Sequence, residues 1–81
     1  MDRSEITQRV EKVVGQVLKV DPKDLKLESN FAFDLGADSM SSVALVAAFE
    51  EEFGVELDQE AALAVQTVTS AVDFLKAILD R

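Results

Sequence analysis

The sequence predicts an all-α domain, a small bundle of three main helices plus one short helix, with a long loop between the first and second helices. Three observations carry this. Apolar residues recur at three- and four-residue spacings in three separate stretches, the period of a helix with one buried face. Residues that begin or end helices flank those stretches: Asp2, Asp38, Asp58 and Thr67 or Thr69 ahead of them, and Gly54 behind the second. The composition, 48% apolar with no Trp and no Tyr in 81 residues, suits one domain with a modest core of Val, Leu, Ala and Phe.

In the first element, Ile6, Val10, Val13, Val14, Val17 and Leu18 form one stripe on a helix over residues 4–18, with Asp2 and Glu5 placed to cap its start. Asp21-Pro22 reads as a cap followed by a first-turn proline, a brief helical turn inside a connecting segment. Leu25, Leu27, Phe31 and Leu35 are expected to pin that segment onto the core. A loop of about twenty residues is long for so small a domain, and such loops are often functional. The second helix covers residues 39–53 without proline or glycine, and Gly54 is placed as its left-handed cap. Leu45, Phe49 and Phe53 give it a core face, joined by Val46, while Met40, Val43 and Ala47 recur on a neighbouring face, suited to lining a groove or meeting a partner. Val55 and Leu57 anchor the next connection, Asp58 caps a short helix to about residue 65, and Val68, Val72, Leu75 and Leu79 turn the last helix inward. No repeat, linker or low-complexity tract interrupts the single domain of residues 1–81.

Composition also removes whole classes of function. Without cysteine there is no disulfide and no thiolate nucleophile or metal ligand, and without histidine the commonest general base and zinc ligand is missing. The acids show no calcium-loop spacing, so no metal site is expected. No apolar run reaches membrane-spanning length and the N-terminus is charged and polar, which predicts a soluble, cytoplasmic protein without membrane insertion. Sixteen acids against eight bases, net charge −8, disfavour nucleic acid as a partner. The bases are Arg3, Arg9, Lys12, Lys19, Lys23, Lys26, Lys76 and Arg81, so residues 27–75 carry none. That stretch holds Glu28, Asp34, Asp38, Glu50, Glu51, Glu52, Glu56, Asp58, Glu60 and Asp73, a one-signed field fit for a basic partner.

The most informative segment is Asp34-Leu35-Gly36-Ala37-Asp38-Ser39-Met40, which leaves the long loop and enters the second helix. Gly36 permits a tight turn, Asp38 caps the helix, and Ser39 falls in its first turn. A hydroxyl there lies beside free backbone N–H groups at the positive end of the helix dipole, where an esterified phosphate is well accommodated. Asp-Ser before a helix is by itself ordinary capping, and only the wider context lifts it above that.

That context is the run DLGADSM, the helix ending in FEEEFGVEL, and QTVTSAVDFL near the C-terminus. In order and spacing, over nearly the whole chain, it resembles the acyl carrier proteins of bacterial type II fatty-acid synthesis. The resemblance implies that Ser39 accepts 4'-phosphopantetheine from coenzyme A, in a magnesium-dependent transfer by a separate phosphopantetheinyl transferase. The arm's thiol then carries acyl groups as thioesters, and the protein itself is no enzyme. It also implies that Glu50, Glu51, Glu52 and Glu56, with Asp34 and Asp38 beside the loop, meet basic patches on acyl-transferring and acyl-modifying enzymes, to which the chain comes as a monomer. Met40, Val43 and Ala47 complete that docking face. In this family the core around Phe31, Leu45, Val46, Phe49 and Phe53 also opens to shelter an acyl chain. A cysteine-free chain gains a thiol only through such a prosthetic group, and a flexible arm raises the effective concentration of cargo at each docked enzyme.

The chain departs from the family pattern at several places. Met40 stands where Leu is common, and Met is adaptable enough to keep the contact. Ser41, Ala44 and Phe33 stand where acids are common, and Ala61, Leu63 and Ala64 make the third helix unusually apolar. These changes point to a specialised member. The alternatives are a dedicated carrier of a polyketide or other acyl pathway, and a structural module that keeps the fold without the arm. An enzyme ranks last, because no histidine is present to activate Ser39.

Overall fold

The computed structural model describes residues 2–80; Arg81, one of the eight bases, lies outside them. The first helix, α1, spans Arg3–Leu18, one residue longer at its start than the apolar spacing suggested. Asp2 caps it, its Oδ1 accepting the Glu5 N–H at 2.8 Å. It ends on Lys19 in the left-handed region, φ 58°, a conformation that costs a non-glycine residue and that no local signal around Lys19 predicts. The turn closes when Val20 N–H donates to the Gly15 carbonyl at 3.0 Å. Gly15, buried inside the helix, is what allows this: a Cβ there would lie 2.8 Å from the Val20 carbonyl oxygen and 3.2 Å from Pro22 Cγ.

A short 3-10 turn at Pro22–Asp24 follows, capped by Asp21, whose Oδ1 accepts from the Lys23 N–H at 2.9 Å. The loop beyond it buries Leu25 and Phe31 and packs Leu35 against the core. Leu27 does not pin the loop as expected; its side chain is 49% exposed. The backbone at that position is the anchor instead, for the Leu27 carbonyl accepts from Thr69 N–H at 2.9 Å and from Thr69 Oγ1 at 2.7 Å. Phe31 N–H donates to the Gln66 carbonyl and Val68 N–H to the Ser29 carbonyl, with an isolated antiparallel bridge between Asn30 and Thr67. The long loop is therefore stitched to the connection ahead of the last helix, its buried backbone groups satisfied across a distance in sequence that no local pattern reveals.

Helix α2 spans Ser39–Phe53 between an Asp38 cap and Gly54 at φ 64°, as its sequence predicts. Helix α3 spans Gln59–Leu63, capped by Asp58. It stops short of residue 65, continuing only as turns from Ala64 N–H to Ala61 O and Val65 N–H to Ala62 O. The Gln66 carbonyl is committed to Phe31 and Thr67 is extended, so the chain must straighten there. Helix α4 spans Val68–Leu79 and is capped by Thr67, not Thr69: Thr67 Oγ1 accepts the Ser70 N–H at 3.1 Å.

The most deeply buried large side chains are Ile6, Val10 and Val14 of α1 and Val68, Val72 and Leu75 of α4. These two helices form the centre, with α2 packed on α1 and α3 resting on α2. Each fully buried Val, Leu or Ile contributes about 1.5–3 kcal/mol. Of α2 only Leu45, Val46 and Phe49 are buried, while Phe53 packs partly against the core. The most deeply buried side chains thus lie between α1 and α4, α2 adds Leu45 and Phe49 to the same core, and the outer half of α2 faces solvent.

Candidate functional site

The segment entering α2 is held by side chains of its own. Asn30 Oδ1 accepts from Ala32 and Phe33 N–H groups, each at 3.0 Å, and the Asn30 carbonyl accepts from Asp34 and Leu35 N–H groups. Asp34 answers through Oδ2, which accepts the Asn30 N–H at 2.7 Å. Ala37 N–H donates to the Phe31 carbonyl at 2.7 Å, and Gly36 turns the chain at φ 73°, where a residue with a Cβ would be strained. Asn30 was not singled out from the sequence, although an Asn that can accept from the second and third N–H groups after it is a recognisable turn former.

Asp38 then starts the helix. Its Oδ1 accepts the Ser41 N–H at 2.8 Å and its carbonyl accepts the Ser42 N–H at 2.9 Å. The Ser41 N–H, and after it the Ser41 hydroxyl, hold the Asp38 carboxyl below the ordinary carboxylate range, so it is ionised at neutral pH. Ser39, the first residue of α2, is exposed, while Ser41 and Ser42 are half-buried. An open groove beside Ser39 is lined by Ala37, Asp38, Ser42, Val43 and Leu63, the last from α3. Beneath it lies an apolar cavity of about 40 Å³ among Phe31, Leu45, Val46, Phe49, Leu57, Phe74 and Leu75, and it shares Ser42 and Leu63 with the groove. The groove wall is mixed, with Asp38, Ser39 and Ser42 as its polar side chains and Ala37, Val43 and Leu63 as its apolar ones.

Within residues 8–75 the chain matches the family model described as "Phosphopantetheine attachment site". It is 47% identical over 75 residues to an "Acyl carrier protein" of Thermosynechococcus vestitus, a match that covers 93% of each chain. The chain belongs to the acyl carrier proteins. It is a carrier, not an enzyme: a 4'-phosphopantetheine arm supplies the thiol that holds acyl groups, and the carrier presents them to acyl-handling enzymes after a phosphopantetheinyl transferase has loaded the arm.

On this carrier the acids expected to meet partners are sorted by the fold. Glu50 faces inward along the helix end, its Oε2 accepting the Leu57 N–H at 2.9 Å. Glu52, its side chain 19% exposed, takes Lys12 at 2.9 Å and Arg9 at 3.8 Å from α1. Glu51 and Glu56 face solvent. Asp34 and Asp38 are exposed but already accept backbone N–H groups. Met40, 83% exposed, stands with Val43, Ala44 and Ala47 on the outer face of α2, and Phe33 is 90% exposed on the loop before it. Among the described residues no helix is long and apolar enough to cross a membrane, and no group of acids is gathered as metal ligands.

Proposed function

We propose that Ser39 is the attachment point of the arm and that residues 1–81 act as one carrier domain delivering acyl intermediates to fatty-acid or related acyl-pathway enzymes. The observation that carries the assignment is the exposure of Ser39 at the mouth of the groove, at the start of α2. Of the other serines in the matched segment, Ser29 is buried with its Oγ accepting the Lys26 N–H, Ser41 and Ser42 are half-buried, and Ser70 is exposed but its Oγ accepts from Thr67 Oγ1 at 2.9 Å. In the loading step the Ser39 oxygen bonds to the phosphorus that bears the pantetheine portion of coenzyme A. The diphosphate P–O bond breaks, the adenosine bisphosphate leaves, and the hydroxyl proton passes to the transferase or solvent. With the arm attached, the positive end of α2 would favour the phosphodiester's charge, and ionised Asp38 beside it would oppose it.

Docking acyl-handling enzymes cover the outer face of α2, from Ser39 at its start to the acids at and beyond its C-terminal end. Glu51 and Glu56 are the outward acids for basic patches on those enzymes, and the net charge of −8 steers encounter and keeps the carrier monomeric. The specialised reading is supported by Ala44, uncharged and exposed on that face. With coenzyme A and a transferase, the native protein should gain one phosphopantetheine by intact mass and Ser39→Ala none, while Ser41→Ala and Ser42→Ala load normally. Loading that persists in Ser39→Ala would overturn the assignment.

A further inference from the structure

Met40 follows Ser39 in the first turn of α2, and its side chain is 83% exposed. The chain has two methionines, the other being Met1, and no cysteine. A thioether is the most readily oxidised group such a chain offers, and its sulfoxide is polar, chiral and open to enzymatic reduction. Val43 and Ala44 on the same face, and Leu63 across the groove, are hydrocarbon and inert to peroxide. Leu, the residue common at this place in the family, would be inert as well, so the exposed sulfur beside Ser39 is a property of this chain.

Position decides the consequence. Consecutive Cα atoms lie about 3.8 Å apart, so an enzyme that bonds phosphorus to the Ser39 oxygen lies against residue 40 as well. A sulfoxide there adds a hydrogen-bond acceptor whose helix neighbours three and four residues on, Val43 and Ala44, have no side-chain donor. Water satisfies it in the free carrier, and that water is lost when an enzyme covers the residue. Met40 stands outside the core, so the oxygen alters the surface and leaves the fold intact. We propose that Met40 is a reversible oxidation site whose sulfoxide slows the use of the carrier at Ser39. The sulfur lone pair bonds to one oxygen of a peroxide and the O–O bond breaks. The second oxygen leaves as hydroxide, takes up the proton released from the first, and becomes water. Sulfur gives up two electrons and the peroxide gains them. A thiol-dependent sulfoxide reductase reverses the change, two thiols becoming a disulfide as the oxygen departs as water. The inference rests on Ser39 being the loaded residue.

The test uses hydrogen peroxide on the apo protein, where it meets no thiol because the chain has no cysteine. After catalase removes the excess, a phosphopantetheinyl transferase loads the protein from coenzyme A, and each sample is compared with its own untreated control. Peptide mapping should place one oxygen on Met40, and kcat/KM for loading should fall about tenfold. A methionine sulfoxide reductase with dithiothreitol should remove the oxygen and restore the rate. Met40→Leu should load equally with and without peroxide, and Met40→Gln, polar at the same place, should load slowly in both cases. Met40 left unoxidised while Met1 takes the oxygen overturns the proposal. So does an oxidised protein that loads at the untreated rate, or a Met40→Leu protein that slows on treatment as the native one does. Helical circular dichroism should be the same before and after treatment; a lost helix signal would mean damage to the fold and would refute the surface effect. Mapping the arm on the loaded native protein separates the two levels. An arm on another residue refutes the Ser39 assignment, whereas an arm on Ser39 with peroxide-insensitive loading refutes only the oxidation site.

Discussion

Glu51 and Glu52 are adjacent in sequence, and the fold gives them opposite surroundings, solvent for one and two cations of α1 for the other, which a pair of isosteric substitutions can separate. Glu52→Gln keeps the size of the side chain and removes its attraction for Lys12 at 2.9 Å and Arg9 at 3.8 Å. The two cations are about half and one-third exposed, so each pair belongs to the surface class worth roughly 0.2–1 kcal/mol, the longer one at the low end. The sum is about 0.5–1.5 kcal/mol, or about 2–12 °C in Tm for a domain of this size. Both substitutions remove one negative charge and relieve the same self-repulsion, so the difference between Glu52→Gln and Glu51→Gln isolates the ion pairs. A double-mutant cycle with Lys12→Met, read by thermal unfolding at low salt, should return a coupling of at least about 0.3 kcal/mol between residues 12 and 52 and none between 12 and 51. In transfer assays the ranking reverses, with Glu51→Lys slowing partners more than Glu52→Lys at temperatures where both are folded. Equal Tm losses for the two glutamines, or no coupling to Lys12, would refute the division of labour.

Gly15→Ala gains about 1 kcal/mol of helix propensity but drives a Cβ to 2.8 Å from the Val20 carbonyl, a backbone atom that cannot swing away, so urea unfolding should show a net loss of about 1–3 kcal/mol; a gain would mean the turn relaxes freely. Asp38 has a folded pKa below its ordinary value, so its contribution to stability is present above that value and is lost as pH falls through the lowered one. Asp38→Asn keeps a capping oxygen without the charge, and its stability gap from the native protein should therefore close in acid below about pH 4. A gap unchanged down to about pH 2 would contradict this. Finally, Ser41→Asp with Ala44→Glu, both forms phosphopantetheinylated, should make the carrier up to about thirtyfold better as an acceptor for a housekeeping malonyl transferase, most of the gain coming from exposed residue 44. Equal rates would remove the case for a specialised carrier.

Helix type and placement were legible because they depend on neighbours three or four residues apart. The stripe from Ile6 to Leu18, the Asp38 and Gly54 brackets of α2, and the Asp58 cap are each local, and the structure places them where the spacing did. The run around Ser39 was legible for the same reason: glycine, cap and hydroxyl lie within four consecutive residues. Thr67 and Thr69 were equivalent as caps in sequence and were told apart only when the Leu27 carbonyl, far away in the chain, claimed Thr69. Leu27 itself looked like a core residue by composition and became a backbone anchor with its side chain in water. Three consecutive glutamates read as one acidic patch, yet a helix turns about 100° per residue, so they point three ways. Once α1 packed against one side of α2 and residue 57 against the other, Glu52 and Glu50 had partners and Glu51 had only solvent. Periodicity gave each residue its angle about its own helix, but which angle meets a lysine, a backbone N–H or water depends on the neighbouring elements, and only the packed chain brings those together.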